Sequence, residues 1–331
     1  MIQKKQFIQE LKDSDLVESI FLVKQASVQT DKMGMPFMSL VLMDKTGEMD
    51  ARVWTDVEKY VSQVVEDSFI FVQGKCKLYL QNKQIIIKKI RVLREDEVEL
   101  KDYLIESELD ADFLYSELIK AIHSMEDPYY KALAQSVFED DSEVISLLKK
   151  APAARSIHHA YPTGLLEHIV SISKILDQIA SHYQPHVDRD LLLLGGFFHD
   201  IGKLWELSYS KTTNYTTEGR LIGHLVMGVE LIDKKIREME AKEGLLPDVF
   251  PEEKKLLIKH IVLSHHGHLE YGSPKRPKCL EAWIVHSVDN LDSKVNAMIE
   301  FMKKDETPGQ WTGLNRNLQR FLYKPKSILE G

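Results

Sequence analysis

Asp190-Leu191-Leu192-Leu193-Leu194-Gly195-Gly196-Phe197-Phe198-His199-Asp200 is an almost wholly apolar run that closes on an imidazole and a carboxylate, and Ile201-Gly202-Lys203 follows it. Such a run reads as a buried helix. Ending it in a carboxylate is costly unless the charge is paired or binds a metal. The imidazoles concentrate around this point, since twelve of the thirteen histidines lie between His158 and His286. Four further segments repeat the offer of a nitrogen or oxygen ligand: Leu165-Leu166-Glu167-His168, Gly223-His224, Ser264-His265-His266-Gly267 and Val288-Asp289-Asn290-Leu291-Asp292.

The spacing turns these ligands inward. Leu165, His168, Ile172, Ile175 and Ile179 share one helical face, and His224 shares another with Leu221, Gly228 and Leu231. His265 follows Ile258 and Ile261 on a helix that Gly267 stops, and Asp289 lies four residues after Val285. One buried histidine alone is more often a hydrogen-bonded core residue; the repetition across five helices is what favours a metal. Nitrogen and oxygen without sulfur suit manganese, iron, cobalt, nickel or zinc more than calcium. Asp200 has two oxygens and can bridge two ions, the arrangement that clamps attacking and leaving oxygens in phosphoryl hydrolysis.

The chain of 331 residues is long enough for two domains. It contains no run of about eighteen apolar residues, and Met1-Ile2-Gln3-Lys4-Lys5-Gln6 is not a secretory signal, so a soluble cytoplasmic protein without a membrane partner is expected. Cys76 and Cys279 are too few and too far apart for a disulfide framework or a thiolate zinc site. The net charge is −8, yet residues 1–94 carry 15 Lys and Arg against 12 Asp and Glu. A nucleic-acid partner would therefore meet local basic surfaces rather than the field of the whole molecule.

The first 94 residues alternate as β-strands do. Strands are read from Ser19, over Pro36–Asp44, over Met49–Trp54, over Ser68–Lys75 and over Gln84–Ile90, with a short helix at Asp56–Val65. Five strands with a helix between the third and fourth is the order of an OB-fold barrel, a single-strand binder. Phe37, Trp54, Phe71 and Tyr79, interleaved with Arg52, Lys75 and Lys77, are the candidate nucleic-acid contacts, although any one of the aromatics is more readily a core residue. Glu95-Asp96-Glu97-Val98-Glu99 reads as a solvated linker, and Ala111–Met125 and Pro128–Lys150 have helical spacing.

The order His168, His199-Asp200, Asp289 resembles the signature of the HD superfamily of metal-dependent phosphohydrolases, and His224 and His265 match the extra ligands of its two-metal members. The whole layout is similar to the YhaM family of bacterial 3′→5′ exoribonucleases over residues from about 15 to 300. Ser156-Ile157-His158-His159-Ala160-Tyr161, Thr217-Glu218-Gly219-Arg220-Leu221-Ile222-Gly223-His224 and Glu270-Tyr271-Gly272-Ser273-Pro274 carry that likeness, and Pro162-Thr163-Gly164 departs from it at the entrance of the site. The expected fold is multidomain, an all-β OB-fold barrel followed by an all-α HD-domain helical bundle. The divisions are a nucleic-acid-binding domain at 1–94, an acidic linker with connecting helices at 95–150, the HD domain at 151–302 and a basic tail at 303–331.

By this resemblance one ion takes His168, His199, Asp200 and Asp289, and a second takes Asp200, His224 and His265, manganese or cobalt being first choices. Water activated there attacks phosphorus in line, and single-stranded RNA, with DNA as a further candidate, is shortened to 5′-mononucleotides. Lys203 is expected at a phosphate oxygen, and His266 as a catalytic proton donor, a ligand or a residue that only supports the ligands. His158 and His159 are candidate substrate contacts, Asp292 is a rival to Asp289, and His182, His186, His260 and His286 are structural or surface residues. The tail, with six basic residues against two acidic from Lys303 to Lys326, reads as a packed tail or homo-oligomer contact before a strand guide. The competing functions are a phosphohydrolase of free or cyclic nucleotides and an inactive nucleic-acid-binding adaptor.

Overall fold

The computed structural model describes residues 2–79, 82–104, 109–154, 161–209, 212–242, 244–305, 307–315 and 318–325. The chain divides into two compact units, Met1–Glu106 with Ser210–Thr212, and Ser107–Tyr209 with Thr213–Gly331. In the first, β1 (Leu16–Thr30), β2 (Pro36–Asp44), β3 (Gly47–Val53), β4 (Phe69–Tyr79) and β5 (Asn82–Leu93) close a barrel in the order β1-β2-β3-β5-β4. Helix α1 (Val57–Val61) sits between β3 and β4, and β3 pairs parallel to β5. Alternation places Met38, Leu40 and Leu42 of β2 and Met49, Ala51 and Val53 of β3 inside. The strands run longer than their apolar cores predict, β1 by three residues at its start, because ladder bonds continue past the buried positions.

The acidic run after β5 stays with the barrel. Its charged side chains face outward, but Val98 and Tyr103 are buried against Ile20, Leu22, Phe69 and Leu93 on the barrel's outer wall. Lys4 and Asp44 form an ion pair at 3.1 Å with both side chains fully buried. Asp44 also accepts from the Ile8 and Thr46 amides, each at 2.9 Å, and from the Thr46 hydroxyl at 2.5 Å. The Lys4 ammonium donates to Ile20 O and lies 4.0 Å from the centre of the Phe21 ring.

The second unit contains α2 (Ala111–His123), α3 (Pro128–Phe138), α4 (Ser142–Leu148), α5 (Gly164–His182), α6 (Arg189–Phe198), α7 (Lys203–Glu206), α8 (Thr217–Leu221), α9 (His224–Glu240), α10 (Glu252–Ser264) and α11 (Leu280–Lys304). A two-stranded hairpin, β6 (Leu207–Tyr209) with β7 (Thr213–Tyr215), interrupts the helices. The helical spacing read across Pro128–Lys150 divides in two, since Asp141 accepts from the Glu143 and Val144 amides and caps a new helix. Helices α2 to α4 share one core with α5, α6, α9, α10 and α11. Helix α6 is buried from Asp190 to Phe198 and starts at Asp188, whose carboxylate accepts from Leu191 N. The tail folds back on itself through bridges Trp311 to Tyr323 and Asn315 to Arg320, and buried Lys324 bonds Asp305 at 3.0 Å. Among the described residues no helix is long and apolar enough to cross a membrane.

Removing one partner of a buried pair strands the other charge. Asp44→Ala should cost the barrel about 3–5 kcal/mol in urea unfolding of the full chain; a loss near zero would contradict the pairing. Burial pushes the Lys4 ammonium down to about 8, against the opposing pull of Asp44. Below that pH both the folded and the unfolded chain carry the proton, and the burial cost is fully present. As pH rises from 8 towards the ordinary lysine value, the folded state releases the proton first and stability increases. That increase should be visible in thermal melts of the wild type and absent from Lys4→Met.

Candidate metal centre

Two of the ligand candidates project from within helices and the others from helix ends. His168 is on α5 and Asp289 on α11; His199 and Asp200 directly follow α6, His265 and His266 directly follow α10, and His224 is the first residue of α9. Inward faces of five helices were expected, and ends serve better for a simple reason. The last carbonyls of a helix lack amide partners, and His199 Nδ1 donates to Gly196 O at 2.9 Å while His265 Nδ1 donates to Val262 O at 2.8 Å. The same nitrogen is held in the remaining three: His168 Nδ1 by Asp292 at 3.0 Å, His224 Nδ1 by Glu206 at 2.9 Å, His266 Nδ1 by Tyr271 O at 3.0 Å. With an acceptor at Nδ1 the proton belongs there, and Nε2 is left to ligate.

These tips gather in two trios. One ligand atom each from His168, His199 and Asp289 lie within 4.8 Å of one another, and so do those of His224, His265 and His266. Asp200, 2% exposed, stands between them. Its Oδ2 is 3.4 Å from His199 Nε2, and its Oδ1 is 3.4 Å from His265 Nε2 and 3.6 Å from His224 Nε2. Asp200 Oδ1 and His224 Nε2 are buried without a hydrogen-bond partner among the described residues. Orphaned buried acceptors of this kind are expensive, and divalent cations of the transition series fit the donor set. His168 Nε2 and His199 Nε2 approach to 3.2 Å, which requires a proton or a cation between them.

The electrostatics agree with that requirement. Burial opposes charge on His168, but hydrogen bonds to Asp289 and Asp292 outweigh it and raise its pKa to about 9. Burial likewise opposes ionisation of Asp200, yet Lys203 and His199 hold its carboxyl well below the usual range. Asp289 is held down too, with burial overcome by His168 and His199. His265 is lowered by burial, and His266 by burial and the neighbouring His265. Neutral His265 and His266 beside ionised Asp200 and Asp289 are the protonation states a cation needs, whereas His168 must give up its second proton to ligate.

Residues outside the trios hold them in place. Lys203 Nζ donates to Asp200 Oδ2 at 2.6 Å. Glu206 accepts from both the backbone amide and the ring of His224, at 3.1 and 2.9 Å. It was missed in the sequence, where the only signal is a carboxylate inside the apolar Leu204-Trp205-Glu206-Leu207. Asp292, the rival ligand, instead braces His168 and accepts from Ser171 at 2.7 Å. Gly202 permits the closest approach, since a Cβ there would come 2.0 Å from His224 O. His286 Nδ1 donates to His265 O at 2.6 Å. His158 and His159 lie outside the described residues. A cavity of about 200 Å³ reaches the centre, lined by residues that include Ala153, Ala154, Lys203, His266 and Ser293.

Comparison with known proteins bears on this geometry. The HD domain family model matches residues 165–294, and an OB-fold nucleic acid binding domain model matches residues 23–93. The 3′-5′ exoribonuclease YhaM of Oceanobacillus iheyensis is 34% identical over 310 residues, covering 93% of this chain and 93% of that protein. The chain belongs to the YhaM family. Among solved structures, the second OB-fold domain of replication protein A from Methanococcus maripaludis aligns at 22% identity with a TM-score of 0.23, covering 28% of this chain and 98% of that one. The mitochondrial single-stranded DNA binding protein Rim1 of S. cerevisiae aligns at 10% identity with a TM-score of 0.23, covering 25% and 97%.

On the barrel of this YhaM-family chain the seven candidate contacts separate. Phe37 and Trp54 stack at 4.6 Å and 24° on the outer wall of β2 and β3, with Trp54 48% exposed. Arg52 and Lys75 are both registered to Ile86 of β5, so they share the outer face in one row. Arg52 donates to Ala51 O at 2.9 Å. Lys77 and Tyr79 are exposed at the far end of β4. Phe71 does not join them; it packs against Ile20, Leu22 and Phe69, because its outward position falls under the segment carrying Val98 and Tyr103.

Binding stabilises a fold by mass action, about 2.7 kcal/mol at a hundredfold excess over Kd. Manganese added to metal-free protein should therefore raise the melting temperature by about 5 °C or more. Asp200→Asn should remove most of that rise in calorimetry, and an undiminished rise would show that Asp200 is not a ligand.

Proposed function

We propose that the protein is a metal-dependent 3′→5′ exonuclease that hydrolyses single-stranded RNA to 5′-mononucleotides at a centre of two divalent transition-metal ions. The observation that carries this reading is Asp200, buried between two trios of ligand tips with one oxygen toward each. His168, His199 and Asp289 with Asp200 would hold one ion, and His224 and His265 with Asp200 the other. His266 completes the second set as a ligand, in place of the proton-donor role. When bound, the ions supply Lewis acidity that activates water and neutralises charge at phosphorus.

The chain's own residues do the rest. Lys203 lines the cavity and keeps Asp200 ionised and oriented; a nonbridging phosphate oxygen at the cavity floor would meet its ammonium. Asp292 and Glu206 keep His168 and His224 with Nε2 toward the centre, so neither imidazole has to reorient on binding. The cavity of about 200 Å³ opens onto Lys203 and the ligand tips together.

RNA recognition falls to the barrel, whose stacked Phe37 and Trp54 offer a base platform beside Arg52 and Lys75. This favours a polymer over a free or cyclic nucleotide, for which such a surface has no use. The name of the Oceanobacillus relative supports RNA as the polymer and the 3′ end as the start. Manganese and cobalt remain the first candidates for the ions, single-stranded DNA a further substrate, and the cytoplasm the expected location.

Incubating 5′-labelled RNA with the manganese-loaded protein should give a ladder of fragments shortened from the 3′ end, with 5′-mononucleotides released. Asp200→Asn should reduce the rate by at least about a thousandfold, as loss of a bridging ligand disables both ions. Trp54→Ala should slow degradation of RNA while leaving hydrolysis of bis-p-nitrophenyl phosphate unchanged. Internal cuts, or equal effects of Trp54→Ala on both substrates, would refute the exonuclease reading.

A further inference from the structure

The segment between α10 and α11, His268-Leu269-Glu270-Tyr271-Gly272-Ser273-Pro274-Lys275-Arg276-Pro277-Lys278, takes no direct part in ligation, yet it is fastened to the ligand histidines. Tyr271 O accepts from His266 Nδ1 at 3.0 Å. The Ser273 hydroxyl, 3% exposed, lies 3.0 Å from Leu263 O and 2.6 Å from Lys275 O, donating to one of them. Lys278 N donates to His260 Nε2 at 2.9 Å. Gly267, at φ +77°, starts the segment, and a Cβ there would come 2.1 Å from the His286 ring. The loop is thus built over His286, which itself donates to His265 O.

Four rings follow one another across this surface. Tyr271 and His268 are 5.5 Å apart at 80°, His268 and His286 are 6.0 Å apart at 75°, and His286 and Trp283 of α11 are 6.0 Å apart at 66°. Each pair meets edge to face, so the rings do not consume one another's faces by parallel stacking. Tyr271 is 71% exposed and Trp283 60% exposed, His268 is exposed as well, and Lys275, Arg276 and Lys278 lie exposed on the same segment against the single acid Glu270. In a chain with a net charge of −8, an open aromatic row flanked by three cations suits a polyanion that carries flat apolar faces.

We propose that Tyr271, His268 and Trp283, with Lys275 and Arg276 beside them, form a platform on the catalytic unit that stacks the bases of single-stranded RNA next to the scissile linkage. The proposal rests on the exoribonuclease reading above. It assigns to this unit a grip on the strand that is separate from the barrel. The partner is RNA rather than a protein surface because one short loop places two exposed rings and three exposed cations beside Trp283, offering faces for bases and charges for phosphates together.

The test uses the full-length, manganese-loaded protein with two substrates, a labelled single-stranded RNA and bis-p-nitrophenyl phosphate, which has no base to stack. Tyr271→Ala and Trp283→Ala should each raise KM for RNA about tenfold, within the range produced by loss of one base–aromatic stack. Both should leave kcat and the hydrolysis of the small ester within about twofold of the wild type. Tyr271→Phe, which keeps the ring and the backbone carbonyl that holds His266, should behave as the wild type. An unmoved KM in both alanine variants overturns the platform, and so does an equal fall on both substrates, which would mean damage to the metal centre. A change in sedimenting mass that tracks the loss would mean that the surface docks a second copy, and also overturns it. Wild-type protein that cleaves the ester but not RNA would refute the exoribonuclease reading itself, and the platform with it.

Discussion

A carboxylate 2% exposed, with Lys203 on one oxygen and two imidazole nitrogens facing the other without a hydrogen bond, is the constraint on which the second unit depends. Buried charge is tolerable only when compensated, and a single lysine satisfies one side of Asp200. The other side faces His265 and His224 at 3.4 and 3.6 Å. Those imidazoles have their Nδ1 protons committed elsewhere, so they present lone pairs to an anion. A divalent cation between them would be bound by all three groups at once.

The scaffold that enforces it is apolar and tightly packed. Helix α6 is buried along its length and delivers His199 and Asp200 at its end, where a C-terminal dipole favours positive charge nearby. Gly202 then lets the start of α9 come against the chain just beyond, which sets His224 opposite Asp200. Nothing in this path is a long loop, so the ligand tips inherit the precision of helix packing rather than the mobility of loops.

Much of the centre was legible in the sequence because its signal was a contradiction. A carboxylate ending an apolar run, with imidazoles on other apolar stripes, conflicts with burial unless something binds it, and that reasoning points to His168, His199, Asp200, His224 and His265, which the fold brings together; Asp289 is preferred over Asp292 by the family resemblance. The barrel was legible from alternation, and its strand order followed. What stayed hidden were residues whose purpose exists only in three dimensions. Glu206 looks like any helix-end acid until its carboxylate is seen to take two bonds from His224. Asp292 and Asp289 are indistinguishable by spacing and differ only in which nitrogen of His168 they face. Phe71 alternates outward as a stacking residue should, but a segment almost thirty residues later covers its wall.

The five Nδ1 acceptors carry the argument furthest. Two are backbone carbonyls three residues earlier in the chain, one is a carbonyl five residues later, and two are carboxylates from other elements. A carbonyl acceptor is neutral and leaves the imidazole electronically ordinary, while a carboxylate raises the basicity of the far nitrogen. Each trio contains one histidine of the carboxylate-backed kind, His168 with Asp292 and His224 with Glu206. On the proposed two-ion reading, each ion would thus have one strengthened nitrogen donor. That feature follows from hydrogen bonds that no ligand motif records, since the carboxylates concerned lie 124 residues after one histidine and 18 before the other.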